Sequence, residues 1–306
     1  MSILSSSLKL FRKGKVRDVF DMEEELLIVS SDRVSAYDVV LADVIPRKGE
    51  SLTRLSEFWF SKTKHIIPNH FLQRVDDRSM RVTKAERVDI EWVVRSHIYG
   101  SMWRAYTKGE RNFGGITLPD SLCMAEELPQ IILTPTTKSE IGHDLDITRD
   151  EAIDRGLLTN DEWHVLKEAS FRLYEFYRDE ARRRGIIVPD FKVEYGRHRG
   201  GLIQIDEPPT HDSARFWSDK HFKVGAQQEA HALDKEFLRA FLRECYGFTG
   251  EGTPPRLPGL VIDEVSKRCV GAYEVLNGNK EINDLHLKSL DQVLKELGGE
   301  ARSQRI

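Results

Sequence analysis

The chain has 306 residues, 40% hydrophobic and 31% charged, with a formal net charge of -4. That balance gives no general attraction to nucleic acid or anionic lipid, and no signal-peptide core or bilayer-length apolar run is present, so a cytoplasmic chain with no nucleic-acid or membrane partner is expected. Cys123, Cys245 and Cys269 are odd in number and lack ligand spacing, which argues against a disulfide framework or a zinc site and predicts three buried small hydrophobes.

At this length the chain can bury a large core and is expected to divide into two lobes. Lys15 to Phe20 alternates polar and apolar, a turn follows, and Leu26 to Val29 returns, so the first part predicts a small antiparallel sheet. Gly14-Lys15 opens the hairpin. Without GxxxxGK[ST] this is no P-loop, and the lysine is either a point charge for nucleotide phosphate or a basic edge-strand residue. Ser30 to Asp38, just past a buried strand, forms either a loop for a small zwitterion or a local Asp32-Arg33 pair. Thr53 to Phe60 begins a helix with an aromatic patch.

Met80 to Lys84 and Val88 to Arg95 are two further strands, the second apolar enough to lie deep in the molecule. After Arg95, Gly100-Ser101 opens a helix at Met102 to Tyr106. Its free N–H groups beside an arginine make either a phosphate site or an ordinary serine cap. Thr134 to Asp146 is too polar to pack a core and reads as a long loop whose reactive groups are Lys138, His143 and Asp144. His143 has no second histidine at ligand spacing, so zinc is not expected there.

Thr159 to Glu162 has capping-box spacing, and Trp163, Leu166, Leu173, Phe176 and Tyr177 form the stripe of a helix closed by Arg182, Arg183, Arg184 and Gly185. It leads into a hairpin, Ile187 to Trp217. Phe191, Val193 and Tyr195 point one way, and Asp190, Lys192 and Glu194 the other. With Arg197 to Gly201 as its loop, Lys192 faces Asp206, Glu194 lies on the diagonal, and Gln204 shares their side. Such carboxylates suit Mg²⁺; the alternative is a solvated sheet face. Thr210 to Trp217 continues as a polar loop suited to oxyanions or amines. Asp234 to Leu242 is amphipathic, GFTGEGTPPRLPG is a rigid loop, Leu260 to Leu276 is a helix, and the tail after Lys280 predicts a last helix and a flexible end from Gly298.

Together, GKVRDVF, SDRVSAYD, LSEFWF, VVR with YGS, TPTTKSE with GHD, DFKVEYG, IDE and DSARFW, in that order and spacing, resemble the phosphoribosylaminoimidazole-succinocarboxamide synthase (SAICAR synthetase) family over about residues 8 to 245. The resemblance implies an α+β, two-lobed ATP-grasp/kinase-like architecture. A small antiparallel-sheet lobe would span residues 1–92 and a larger mixed α/β lobe 93–306, with ATP in the cleft. It also implies an ATP-dependent ligase of purine biosynthesis, monomeric or homodimeric. CAIR, the aminoimidazole ribonucleotide carboxylate, and L-aspartate would be joined into SAICAR with release of ADP and phosphate, using ATP and Mg²⁺.

Laid on matching positions, the resemblance makes Lys15, Lys138 and Asp212 catalytic, with Lys15 also on the ATP phosphates. Lys84, Glu91 and Lys192 complete the ATP site, and Glu194 and Asp206 hold the metal. Arg95, Ser101, Ser213 and Arg215 grip the ribonucleotide, while Ser35, Asp38, His143 and Asp144 surround the substrate carboxylates. The chain departs from the family pattern at His97, at His211 and in a Gly142 to Leu145 loop short of one acid, which bears on aspartate recognition. A small-molecule kinase and a non-catalytic nucleotide sensor are the competing readings.

Overall fold

Alternating apolar residues build the first sheet. The computed structural model describes residues 8–138 and 145–298. Strands β1 (Lys9–Lys13), β2 (Arg17–Met22) and β3 (Glu25–Ser30) form a meander, followed by a separate hairpin of β4 (Arg33–Ala36) and β5 (Val39–Val44). Helix α1 (Lys48–Thr63) carries the chain to β6 (Phe71–Arg74) and β7 (Ser79–Thr83). Because β7 returns to β3, the sheet runs β1-β2-β3-β7-β6. Next come β8 (Glu86–His97), α2 (Gly100–Thr107), the short β9 (Asn112–Phe113) and β10 (Ile116–Thr117), and β11 (Glu127–Thr137). Helices α3 (Arg149–Asp154) and α4 (Asn160–Arg182) precede β12 (Ile186–Ile187), β13 (Asp190–His198), β14 (Gly201–Ile205) and β15 (Trp217–Ser218). The second sheet is antiparallel, β11-β8-β13-β14, and α5 (Glu236–Tyr246), α6 (Gly259–Leu276) and α7 (Leu290–Glu296) follow.

Helix α4 covers one face of the second sheet. Its Thr159 side chain accepts from the Glu162 amide while Glu162 returns a bond to the Thr159 amide, the capping box expected from the sequence. Trp163, Leu166, Leu173 and Tyr177 are buried against Trp92, Phe191, Val193 and Tyr195; Phe176 is half-buried at the rim. Trp92 and Trp163 meet with ring centroids 4.8 Å apart. Burying an indole removes roughly 200 Å² from water, about 5 kcal/mol before entropy is subtracted. A second core joins Val34, Leu41 and Ile45 of the β4–β5 region to Phe237, Phe241, Val261 and Val265 of α5 and α6.

Several expectations change. Helix α1 starts at Lys48, ahead of Thr53, because its Gly49 amide is capped from a distance by Asp32 Oδ1 at 2.9 Å. Thr134 to Thr137 are not loop but the end of β11, paired with Ile90 to Val93 of β8. Cys123 is exposed, at a turn where its amide donates to Glu126, whereas Cys245 and Cys269 are buried. The division expected at residue 92 falls inside β8, which pairs with β13 from Glu86 to Arg95. Cutting it there would orphan ladder hydrogen bonds, so β8 belongs whole to the second sheet. The segment beyond Gly298 lies outside the described residues.

The hairpin register also differs. Its turn is only Arg199-Gly200, both left-handed (φ 48° and 78°), so Glu194 stands opposite Ile205 and Tyr195 opposite Gln204. That one-residue slip sends Gln204 to the buried face, where its amide donates to the Tyr177 hydroxyl at 3.5 Å. Asp206 would follow Gln204 if the strand continued. Instead it turns left-handed (φ 63°), which returns its carboxylate to Glu194.

Candidate active site

A cavity of about 460 Å³ opens between the β1–β2 turn, the ends of β13 and β14, and the start of α5. Its wall mixes acids with a larger number of bases, among them Arg12, Lys15, Arg17, Lys138, Lys192, Arg215, Lys235 and Arg239. A lining of that kind attracts polyanions.

At its floor, Arg17 Nη2 donates to Asp206 Oδ1 at 2.7 Å and to Glu207 Oε1 at 3.0 Å. Lys192 donates to Glu194 and to Glu91, both at 2.8 Å, and Lys138 also donates to Glu194. Burial pushes the Glu194 carboxyl up, and the charge of Asp206 adds to the rise against Lys192 and Lys138. For Asp206, burial would do the same, but Arg17, then Lys192 and Lys138, hold it well below the usual carboxylate range. Burial likewise raises Glu207, with Arg17 opposing. Two close carboxylates pulled in opposite directions are a place where an added cation stabilises both charges. An all-oxygen pair fits Mg²⁺, which takes one or two carboxylates and completes its shell with water and phosphate. Among the described residues no larger cluster of metal-ligating side chains occurs.

Farther along the wall, Arg215 Nη1 donates to Asp190 Oδ2 at 2.7 Å, and Arg95 Nη1 lies 3.8 Å from the same oxygen. The Arg215 guanidinium also sits over the Tyr99 ring at 5.4 Å. Gly100 (φ 58°) permits this approach, since a Cβ there would lie 2.4 Å from Arg215 Nη2. Asp212 faces Lys48 at 3.2 Å and Lys235 at 4.0 Å. Burial would raise its carboxyl, yet Lys235 and Lys48 keep it low. Next to it, burial and then Lys48 depress His211 to about 3, so the ring is neutral.

The structure therefore gathers Lys15, Ser35, Asp38, Lys138, Lys192, Asp206, Asp212, Ser213 and Arg215 around one cavity, with Glu91 and Glu194 held by its lysines. Lys15 Nζ meets Asp38 Oδ1 at 2.5 Å. Lys84 is not brought to Glu91; it donates to both oxygens of Asp21 at 3.0 Å. Ser101 is exposed in the first turn of α2, and it is not the cap, which is Tyr99. His143 and Asp144 lie outside the described residues. His97 packs against Trp217 and Phe222 and does not line the cavity. Sequence reasoning gave no role to Arg17, Lys48, Asp190, Glu207 or Lys235. Alternation from Lys15 could have flagged Arg17, and the Asp190-Lys192-Glu194 row could have flagged Asp190; nothing local marks Lys48.

An α+β chain of antiparallel sheets with bases ringed around paired acids has the build of an enzyme for phosphorylated, acidic substrates. The sequence profile of SAICAR synthetase matches residues 10–253, and the chain belongs to the SAICAR synthetase family. It is 37% identical over 284 residues to phosphoribosylaminoimidazole-succinocarboxamide synthase of Thermodesulfovibrio yellowstonii, covering 88% of this chain and 95% of that one. The enzyme of the same name from Syntrophotalea carbinolica is 39% identical over 290 residues, covering 90% and 96%. Among solved structures, SAICAR synthase from Saccharomyces cerevisiae complexed with SAICAR superposes with a TM-score of 0.81 at 33% identity, covering 92% of this chain and 98% of that chain. A type-2 SAICAR synthetase in complex with ADP shares the fold, with a TM-score of 0.67 at 23% identity and coverage of 88% and 98%. The reaction is thus the ATP-dependent joining of CAIR and L-aspartate in purine biosynthesis. Among the described residues no helix is long and apolar enough to cross a membrane.

Proposed function

We propose that the cavity is the cleft of a two-lobed ATP-dependent ligase, with the five-stranded sheet as nucleotide lobe and a boundary near Ala85. A cytoplasmic setting accompanies that role. The observation that carries this reading is the Glu194–Asp206 pair: Asp206 lines the cavity together with Arg17, Lys138, Lys192, Asp190 and Arg215, and the buried Glu194 is held by Lys138 and Lys192 of that lining.

Glu194 and Asp206 would hold Mg²⁺, which when bound neutralises charge on the triphosphate. Lys15 and Arg17, on the turn and strand facing the pair, bind phosphate oxygens, and Lys138 and Lys192 steady the transferring phosphoryl group. Arg215 and Arg95, oriented by Asp190, grip the ribonucleotide phosphate beside the start of α2, with Ser101 and Ser213 near it. The CAIR carboxylate takes the γ-phosphoryl group, giving an acyl phosphate and ADP. The aspartate amine attacks the acyl carbon, the C–O bond to phosphate breaks, and the nitrogen loses its proton. Ser35, Asp38 and Asp212, with Lys235 behind it, orient the aspartate. Lys84, engaged by Asp21, contributes at the rim of the adenosine site and Glu91 through Lys192.

Phosphate release requiring both CAIR and L-aspartate is the test of the reaction; a kinase would instead leave the phosphoryl group on its product. For the site, Asp206→Asn should keep the far-UV spectrum and melting transition of the parent yet lose at least about a hundredfold in Mg²⁺-ATP turnover. Parental activity in that variant would remove Asp206 from the metal site.

A further inference from the structure

We propose that Arg17, on Asp206, stands in for the divalent cation at the Glu194–Asp206 pair until nucleotide arrives, with Lys138 and Lys192 doing the same on Glu194, so that metal and triphosphate bind strongly only together. The inference rests on reading those two carboxylates as the metal's ligands. Arg17 belongs to β2 of the first sheet, whereas Asp206 and Glu207 follow β14 of the second. Its two hydrogen bonds, at 2.7 and 3.0 Å, therefore tie the sheets together across the cavity. The side chain is 16% exposed, so water does little to screen the contact.

Lys138 and Lys192 are engaged in the same way on Glu194 and Glu91. Three cations, Arg17, Lys138 and Lys192, thus face four carboxylates, Glu91, Glu194, Asp206 and Glu207. A divalent ion entering alone meets like charge already in contact with its ligands. A triphosphate entering alone meets carboxylates already holding the bases it needs. When both enter, the ion takes over the carboxylates and the bases turn to phosphate oxygens. Every buried charge stays paired. Such an exchange couples the two binding events reciprocally.

Mn²⁺ binding to the full chain, followed by the electron paramagnetic resonance of the free ion with and without ATP, tests this. After correction for Mn²⁺-ATP formed in solution, ATP should tighten Mn²⁺ binding by about tenfold or more. In Arg17→Met, Mn²⁺ alone should bind about fivefold tighter than in the parent and the coupling to ATP should shrink, while Arg17→Lys restores it. A coupling in Arg17→Met equal to the parent's, in a variant with a parental melting transition, overturns the exchange. If Arg17→Met does not fold, Lys138→Met carries the same comparison from the Glu194 side, with the same two outcomes. Mn²⁺ that binds Asp206→Asn as tightly as the parent in the presence of ATP overturns the ligand reading itself, and the exchange with it. Loss of Mn²⁺ in Asp206→Asn together with unaltered coupling in Arg17→Met sinks the exchange alone.

Discussion

Buried histidines give the molecule a pH dependence that can be worked out residue by residue. Burial holds His70 and His97 at about 4 and, with Lys48, His211 at about 3, against an ordinary value of 6.5. Below pH 6.5 the unfolded chain takes up protons that these folded-state rings refuse, so stability is present above that pH and is lost as pH falls toward the folded values. Each ring contributes a slope of at most about 1.4 kcal/mol per pH unit. His211→Asn should therefore flatten the slope by one proton between pH 6 and pH 4.5, measured as urea-unfolding free energy at several pH values. An unaltered slope would mean that the ring is already charged beside Asp212. The same scale explains Asp206: its left-handed backbone, not its place in an alternating pattern, delivers the carboxylate to Glu194.

Elements differ in how far their own residues specify them. Helix α4 carries its cap, stripe and stop within its sequence, and the structure matches them. Helix α1 does not, because its capping carboxylate, Asp32, comes from the turn between β3 and β4. The start of α2 is shaped by a distant side chain as much as by helix chemistry. Gly100 is left-handed and almost touches Arg215, so Gly100→Ala should move that guanidinium off Asp190. We expect KM for the ribonucleotide to rise about tenfold with a smaller change in kcat, and stability to fall by roughly 1 kcal/mol from the positive φ. Steady-state kinetics with CAIR varied at saturating ATP and aspartate check this; an unchanged KM would separate Arg215 from the ribonucleotide.

At the scale of the whole molecule, the family match ends at residue 253, yet α6 and α7 complete a core with β4 and β5. Val34, Leu41 and Ile45 share that core with Phe237 and Phe241 of α5, and without Val261, Val265 and Val293 the cluster would lose its α6 and α7 side. A chain stopped after residue 253 should thus lose cooperative unfolding, monitored by near-UV circular dichroism during thermal melting. A sharp transition at the parental temperature would show that the core closes without those helices.

The ordered motifs already carried the family, the reaction and the acid pair, since residue types at fixed spacing survive without knowledge of the fold. Periodicity likewise showed α4 and the paired strands, because local alternation reports which face is buried, and the near-continuous apolar run VDIEWVVR marked the strand that lies deep. What tertiary structure alone decided was which charges meet. The hairpin register turned on a two-residue left-handed turn, Lys84 went to Asp21, and Arg17 and Lys48 reached carboxylates more than a hundred positions away. Ion pairs across such distances depend on packing that brings separate sheets together, and no local pattern in a chain records that approach.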